Sequence, residues 1–563
     1  MTRKTCNIVI GGEAGQGLVT VGQILAKTLV RSGYFICVTQ DYQSRVRGGH
    51  NTFAIRVGVD EVRAPQEAVD LLVALDANTV HLHKDEVSPS GLIIIDEALA
   101  LRGDGILSIP LKTLAADRYT NIVALGVIAA LLGLDEGVVA QTVVDFFGRG
   151  SPDAAQENKR VLGASYRWAV EQHVIFTQFP PLPSGNPVPR LMMNGNEAIA
   201  LGAAAAGLKF YSFYPMTPST SIGLALAAWA KETGMIVEQA EDEIAVVNMA
   251  LGASFAGAPS MVATSGGGFA LMVEGVSLAA MTETPVVIVV AQRPSPATGL
   301  PTRTAQADLE FVLHAGHGEF PRAVFAPGSI AECCALTAKA LVLADRYQGP
   351  VFILTDQFLA DSYRAVAPFK LDGTPLVQPW SSTKNVFATP YQRFAITADG
   401  ISPRLLPGLT EHLVVADSDE HTEDGHITED LTVRTKMVSK RLSKGAGMIA
   451  EAIPPEWQGA EEPDLLLVTW GSSKGAVEEA AALMQARGKE LATLHFAQVW
   501  PLVPELFLER LQRAKEVVAV EGNATGQLAR LIRREAGFPI ERRVLRYDGL
   551  PITPEFILRE LER

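Results

Sequence analysis

An α/β architecture of three domains, each built on a mainly parallel sheet, is what the sequence predicts, and three observations predict it. Short apolar runs of strand length, KFYSFY, MIVEQA, SMVATS, PVVIVV and PVFILT, alternate with segments such as AVVNMALGASFAG that are long enough for crossover helices. The scheme recurs later as DLLLVTW, the helical AVEEAAALMQARG, ATLHFAQ and EVVAVEG, and the chain opens similarly with CNIVIGG. Two irregular seams separate these series: FPPLPSGNPVPR at 179–190, too rich in Pro and Gly for a helix or a central strand, and a long polar stretch from 363 to 445. The expected units are therefore a first domain over 1–180, a linker over 181–190, a middle domain over 191–362, an irregular connector over 363–445 and a last domain over 446–563.

Composition bounds the function. A chain of 563 residues with 48% hydrophobic and 20% charged residues is ordinary globular usage, with ample material for several cores. A formal net charge of -14 and no long Lys/Arg run argue against nucleic-acid binding. The longest nearly apolar run, IVALGVIAALLGL at 122–134, falls short of the roughly 20 residues a membrane span needs and reads as a core helix. The opening MTRKTCNIVIGGEAGQG has too brief an apolar segment for a secretory signal, so a cytoplasmic location is expected. Four cysteines, Cys6, Cys37, Cys333 and Cys334, form no CxxC pair, which disfavours a disulfide framework, a zinc site or an iron–sulfur cluster held by this chain alone. No metal ligand set is assigned.

Ligands of open parallel sheets sit beyond the carboxyl ends of the strands, so the residues after each strand carry the functional signal. After the first strand, GGEAGQG places Gly11, Gly12, Gly15 and Gly17 before a helix, which suits either a phosphate group or tight strand–helix packing. QSRVRGGHN adds Arg45 and Arg47 as a second clamp for an anion, with His50 read as structural. In the middle domain YPMTPST ends a strand at Pro215, and Thr217 before Pro218 has the form of an N-cap ahead of a first-turn proline. EDEIAVVNMALGASFAG opens a helix with Glu241, Asp242 and Glu243, where carboxylates are favoured by the macrodipole. Glu243, followed by Ile244 and Ala245, could point into a buried interface and exchange a proton with a ring nitrogen. SMVATSGGGFALMVEG puts Gly266 to Gly268 at a strand end, where a cofactor or another chain can approach closely. Arg293 leaves the strand PVVIVVAQ beside prolines and hydroxyls, well placed to grip a carboxylate. The charged block SDEHTEDGHITED is expected to be solvated surface.

YPMTPST, EDEIAVVNMALGASFAG, ATSGGGFALMVEG and AQRPSPATGLPTRTAQADL together resemble the α subunit of 2-oxoacid:ferredoxin oxidoreductases, in the form with a γ-type domain fused ahead of it. GGEAGQG and SRVRGGHN are similar to the γ domain. GISPR and DEHTEDGHITED are similar to the connector, and VTWGSSKG, VWPL and EGNATGQLARLIR to a transketolase C-terminal-type domain. The resemblance implies that the middle domain binds the pyrimidine side of thiamine diphosphate. A β subunit would carry the diphosphate and Mg2+ motif and a [4Fe-4S] cluster, with ferredoxin as electron acceptor and a dimer of αβ heterodimers as the assembly. The GDG at 103–105 is rejected as that motif, because Asn121 lies too close and the context reads as a turn between strands.

Residue by residue, the resemblance places Glu243 as the glutamate that hydrogen-bonds the aminopyrimidine ring, with Gly266 and Gly267 beside the cofactor. Thr217 and Arg293 fall at positions that bind the keto and carboxylate oxygens of the 2-oxoacid, with Thr302 a companion. Gly15, Gly17 and Arg47 would help bind coenzyme A. The expected reaction is reversible, coenzyme A-dependent oxidative decarboxylation, with 2-oxoglutarate preferred and pyruvate or an aryl-pyruvate as alternatives. Met216 and Gly267 depart from the family's usual Ile and Pro, which bears on pocket shape. Two rival readings are a nicotinamide-dependent dehydrogenase using GGEAGQG, for which Asp41 stands in the wrong context, and a non-catalytic scaffold subunit.

Overall fold

The computed structural model describes residues 4–43, 49–116, 119–148, 152–174, 176–183, 188–374, 376–377, 390–409 and 411–563. Its contacts divide the chain into two compact units: Met1–Asn194 with Asp361–Phe369 and Thr553–Arg559, and Gly195–Ala360 with Lys370–Ile552 and Glu560–Arg563.

The first unit holds an eight-stranded sheet in the order Ile106–Ile109, Val87–Asp96, Val69–Ala74, Thr5–Glu13, His50–Gly58, Phe35–Asp41, Arg364–Val366, Leu191–Met193. The first four strands run parallel, and the remaining pairings are antiparallel. The change has a local cause: the connection from Asp41 to His50 is too short for a crossover helix, so those strands meet as a hairpin. The apolar run at 122–134 forms the helix Thr120–Leu131, which is buried on nearly every face as its composition predicts. It packs on Pro152–Glu171 so closely that a Cβ on Gly126 would stand 2.8 Å from the Leu162 carbonyl oxygen. The GDG segment is a turn between the strands Val87–Asp96 and Ile106–Ile109, with Gly105 at φ 76°.

The second unit contains two sheets. The seven-stranded sheet runs Gln498–Trp500, Ala323–Phe325, Pro350–Asp356, Val286–Gln292, Ser260–Thr264, Phe210–Phe213, Ile236–Gln239, parallel throughout except for its first pairing. The strands read from the apolar runs are all present. MIVEQA differs from expectation in burial: it forms the sheet edge, and Ile236 is 60% exposed. Ala323–Phe325 and Gln498–Trp500, at three residues each, were too short to stand out in the sequence. The five-stranded sheet runs Glu456–Gly459, Leu491–Phe496, Leu465–Trp470, Glu516–Glu521, Arg542–Leu545, with its last four strands parallel.

A single side chain ties the regions around these two sheets. The buried Gln306 amide donates to the Trp470 carbonyl (2.8 Å) and accepts from Ser473 Oγ (2.7 Å) and the Gly522 amide (2.8 Å). The connector supplies a second tie, the helix Leu431–Ala450, whose Lys440 and Lys444 reach the buried Glu283, Lys440 at 2.5 Å. Arg393 donates to the Glu283 carbonyl at 2.7 Å. Burial works to raise the Glu283 carboxyl, and Lys444, Lys440 and Arg393 outweigh it, bringing it down to about 2. The block SDEHTEDGHITED is therefore less solvated than its composition suggested. His421 is fully buried, and Glu420 receives both guanidinium nitrogens of Arg441 at 3.0 and 2.9 Å. Local sequence could not show that a helix from 431 would cover it. No helix among the described residues is long and apolar enough to cross a membrane.

Candidate active site

Three strand ends of the seven-stranded sheet converge on one small region. Ser260–Thr264 ends at the first turn of the helix Gly266–Met281, Val286–Gln292 delivers Arg293, and Phe210–Phe213 leads into the loop carrying Thr217. The helix Glu243–Phe255 starts beside them, with Asp242 as its N-cap accepting the Ala245 amide at 2.7 Å. That cap leaves Glu243, the first helical residue, free to face inward.

Glu243 is 3% exposed, and Thr264 Oγ1 donates to its Oε1 at 3.4 Å. No other hydrogen bond to its carboxylate occurs among the described residues. Space for it comes from Gly268: a Cβ there would lie 2.7 Å from Glu243 Cδ and closer still to Glu243 Oε1 and Thr264 Oγ1. Glycine at 268 is thus dictated by the carboxylate. Gly267 is exposed, and a Cβ on it would meet only the Ala297 carbonyl oxygen at 3.8 Å, so the departure from proline leaves open room. Gly266 is close-packed, since a Cβ would come within 2.6 Å of Asp308 Oδ2.

Arg293 is 7% exposed and donates from Nη1 to the Thr217 carbonyl at 2.7 Å. Burial pushes its guanidinium down from the usual arginine range, while Asp308 and Glu243 act in the opposite direction. The structure thereby brings Thr217, Glu243, Gly266, Gly267 and Arg293 to one place. It differs from expectation at Thr217, which does not cap the helix. The helix begins at Thr220, the Thr217–Pro218 peptide is cis, and the Ser219 amide and hydroxyl both donate to the Met216 carbonyl, at 2.9 and 2.8 Å. The loop closes on itself first, which leaves the Thr217 side chain without a capping duty. Thr302 is buried in the loop that follows Arg293, and no hydrogen bond among the described residues links it to the others.

Sequence reasoning passed over Asp308. Its carboxyl is 6% exposed, its Oδ2 has no hydrogen-bond partner, and burial pushes it up to about 6 against the pull of Arg293. The Ser265 hydroxyl is likewise buried and unpartnered. Only the fold brings Asp308 back to the helix start at Gly266, so no local pattern marked it.

In the first unit, Gly15 (φ 103°) and Gly17 (φ 77°) turn the chain from the strand Thr5–Glu13 into the helix Leu18–Arg31. Gly15 is exposed with nothing above it, whereas a Cβ on Gly17 would meet Asn121 Nδ2 at 2.5 Å. Arg45 and Arg47 lie outside the described residues. Close by, His50 Nε2 pairs with His83 Nε2 at 2.7 Å, and His83 Nδ1 with Glu86 at 2.7 Å. Among the described residues, Glu332, Glu456 and His495 are the one group clustered closely enough to hold a cation. The Lys474 ammonium pairs with both carboxylates, at 2.6 Å from Glu456, and already supplies the positive charge there.

A buried helix-start carboxylate, an exposed glycine and an arginine lie together at the carboxyl ends of a parallel sheet, where open α/β folds bind their ligands. Comparison with known proteins identifies the class. Residues 201–440 match the family described as "Pyruvate flavodoxin/ferredoxin oxidoreductase, thiamine diP-bdg", and residues 7–168 match "Pyruvate ferredoxin/flavodoxin oxidoreductase". The chain is 31% identical to a 2-oxoacid:ferredoxin oxidoreductase subunit alpha of Sulfolobus sp over 98% of its length and 95% of the relative's. It is 28% identical to the 2-oxoglutarate oxidoreductase subunit KorA of Mycobacterium tuberculosis, over 94% of this chain and 87% of that one. A solved structure, 2-oxoglutarate:ferredoxin oxidoreductase from Magnetococcus marinus with 2-oxoglutarate, coenzyme A and succinyl-CoA bound, superposes with TM-score 0.91 at 30% identity, covering 100% of this chain and 99% of that one. The chain belongs to the α subunits of 2-oxoacid:ferredoxin oxidoreductases, and its middle region is a thiamine diphosphate-binding domain.

Proposed function

We propose that this α subunit acts on 2-oxoglutarate, converting it reversibly to the acyl-coenzyme A and CO2 with electrons passed to ferredoxin. Pyruvate and aryl-pyruvates are the alternatives within the same family. The full likeness to the Magnetococcus marinus enzyme and the KorA relatives support the choice of oxoacid. The single observation that carries the catalytic reading is the buried Glu243 carboxylate, given room by Gly268 and met by one weak donor.

The residues present fit the pyrimidine half of a thiamine diphosphate site. Glu243 offers a carboxylate in a water-poor pocket, Ser265 and Asp308 hold unpartnered oxygens at the helix start, and Gly267 leaves open space in front of it. When bound, the cofactor supplies the electron sink for decarboxylation of a 2-oxoacid. Glu243 would hold a proton against a ring nitrogen of the aminopyrimidine, and the sparse hydrogen bonding of its carboxylate leaves it able to exchange that proton. Arg293, anchored by the Thr217 carbonyl, presents its remaining N–H groups to the substrate carboxylate, and the Thr217 hydroxyl faces the keto oxygen. Gly266 and Gly267 let the ring approach the backbone.

The same reading assigns the γ-type role to 1–180, with 181–190 as linker, the pyrimidine side to 191–362, the connector to 363–445 and the transketolase C-terminal-type role to 446–563. Gly15, Gly17 and Arg47 are proposed to bind coenzyme A. Mg2+ and a [4Fe-4S] cluster are assigned to a β partner, the assembly to a dimer of αβ heterodimers, and the location to the cytoplasm. The test is reconstitution with the β chain and thiamine diphosphate, followed by reduction of a viologen dye with a panel of 2-oxoacids plus coenzyme A. Turnover strongest with 2-oxoglutarate is expected. Dye reduction by none of the oxoacids would refute the reading.

A further inference from the structure

Two groups of opposite charge lie buried beside this site without meeting. Asp308 and Arg293 each bear on the other's protonation, yet among the described residues no ion pair within 4.0 Å joins them. Elsewhere the chain closes such gaps, as Lys440 does on Glu283 at 2.5 Å. Asp308 is held in place by its own backbone, whose amide donates to Gln292 Oε1 at 3.0 Å and whose carbonyl accepts the Val312 amide at 2.9 Å. Its Oδ2 lies against Gly266, where any side chain would intrude, and has no partner. A buried oxygen left unpaired is costly, and the fold keeps this one.

The surroundings narrow its role. Of the charged groups on the elements around Asp308, Arg293 comes from the neighbouring strand end and Glu243 from the adjacent helix start, and Glu243 in turn bears on Arg293. Glu310, on the helix that Asp308 precedes, is turned towards Arg530 at 3.5 Å. The helix Gly266–Met281 contributes Glu274, two turns away from Gly266 and exposed. Asp308 is thus a buried carboxyl that acts on the guanidinium assigned to the substrate, with one oxygen that no side chain engages, and it does not itself lie in the grip of that guanidinium.

We propose that Asp308 is a positioning residue that sets the strength of Arg293's hold on the 2-oxoacid carboxylate: ionised, it competes for the guanidinium's field, and protonated, it releases that field to the substrate. Binding of the anion is then coupled to uptake of one solvent proton by the Asp308 carboxylate, with no other bond made or broken. The inference rests on the reading that Arg293 receives the substrate carboxylate. Burial, which already favours the neutral acid to about pH 6, puts this coupling in a range that can be measured.

The experiment uses the reconstituted αβ complex and oxalate as a non-reacting carboxylate probe, with affinity read by titration calorimetry. For the unsubstituted protein the oxalate Kd should weaken between about pH 5.5 and about pH 8, by roughly tenfold for each pKa unit of coupling. Asp308→Asn should abolish that trend and bind oxalate more tightly at the higher pH, and Arg293→Gln should remove binding in both backgrounds. With 2-oxoacid substrates, Asp308→Asn should lower KM at the higher pH while leaving the KM for coenzyme A unchanged. A flat oxalate Kd across this range in the unsubstituted protein overturns the proposal without need of any variant, as does an equal trend in Asp308→Asn. Failure of the functional reading shows separately, as absence of dye reduction by every 2-oxoacid while the oxalate result still decides the role of Asp308.

Discussion

Gly268→Ala tests the placement of Glu243 most directly. The new methyl carbon would stand 2.7 Å from Glu243 Cδ, where carbon atoms prefer about 3.5–4.0 Å, so the carboxyl must recede by about 1 Å. The Thr264 hydroxyl is pressed by the same methyl, which closes one direction of retreat. Overpacking of this kind costs about 1–3 kcal/mol of stability. The catalytic cost is larger in effect: a misplacement of about 1 Å in a reacting group lowers the rate by about 100-fold. Steady-state viologen reduction by the reconstituted complex reads kcat, and the thermal unfolding midpoint reads the fold. The expected result is a kcat loss of about two orders of magnitude with the complex still assembled. In the Glu243→Ala background, Gly268→Ala should cost far less than the two orders of magnitude it costs alone, because the displaced carboxyl is gone and only the Thr264 hydroxyl is still pressed. Full activity in Gly268→Ala, or an additive loss in the double variant, would refute the assignment of the carboxylate.

Three further outcomes are expected. Glu243→Gln keeps the shape and removes the exchangeable proton, so kcat should fall by about 100- to 10,000-fold while co-purification with the β chain is retained, as seen by size exclusion. Glu283→Gln leaves the buried Lys440 and Lys444 without their anion and should destabilise by about 3–5 kcal/mol, measured as a drop in the urea midpoint. His495 is buried and brought down to about 4, chiefly by desolvation, with Glu332 opposing. Its folded value lies below its unfolded one, so the stability it confers is complete above about pH 6.5 and is lost as pH falls towards about 4. His495→Gln should flatten urea midpoints across that window, a change of order 3 kcal/mol.

How far local pattern could reach shows in particular residues. Strand runs such as PVVIVV and SMVATS, and the helix at 120–131, were legible because a continuous apolar run has few places to go other than a core. Glu243 and Arg293 could be singled out because each follows directly on a strand or opens a helix, where sheet geometry places ligands. MIVEQA misled on burial, since nothing within the run tells an edge from an interior. Thr217 misled as a cap, because Thr-Pro before a helix reads the same whether the helix starts at once or after a turn closed by Ser219. The connector misled as surface, because the arginine that pairs with Glu420 comes from a helix later in the chain and the ring against His421 comes from Phe394, earlier in it.

By itself, then, the sequence determined the alternation of elements, the acidic net charge without a long basic run, and the residue types set after each strand, all consequences of short-range periodicity and charge. The tertiary structure decided which of those residues share a pocket. Gly268 makes room for Glu243 from across a strand, Asp308 returns to Gly266 from forty-two positions on, and Gln306 ties regions more than 160 residues apart. Such pairings depend on where the chain comes back to itself, and that return is set by packing between sheets and helices that no local window contains.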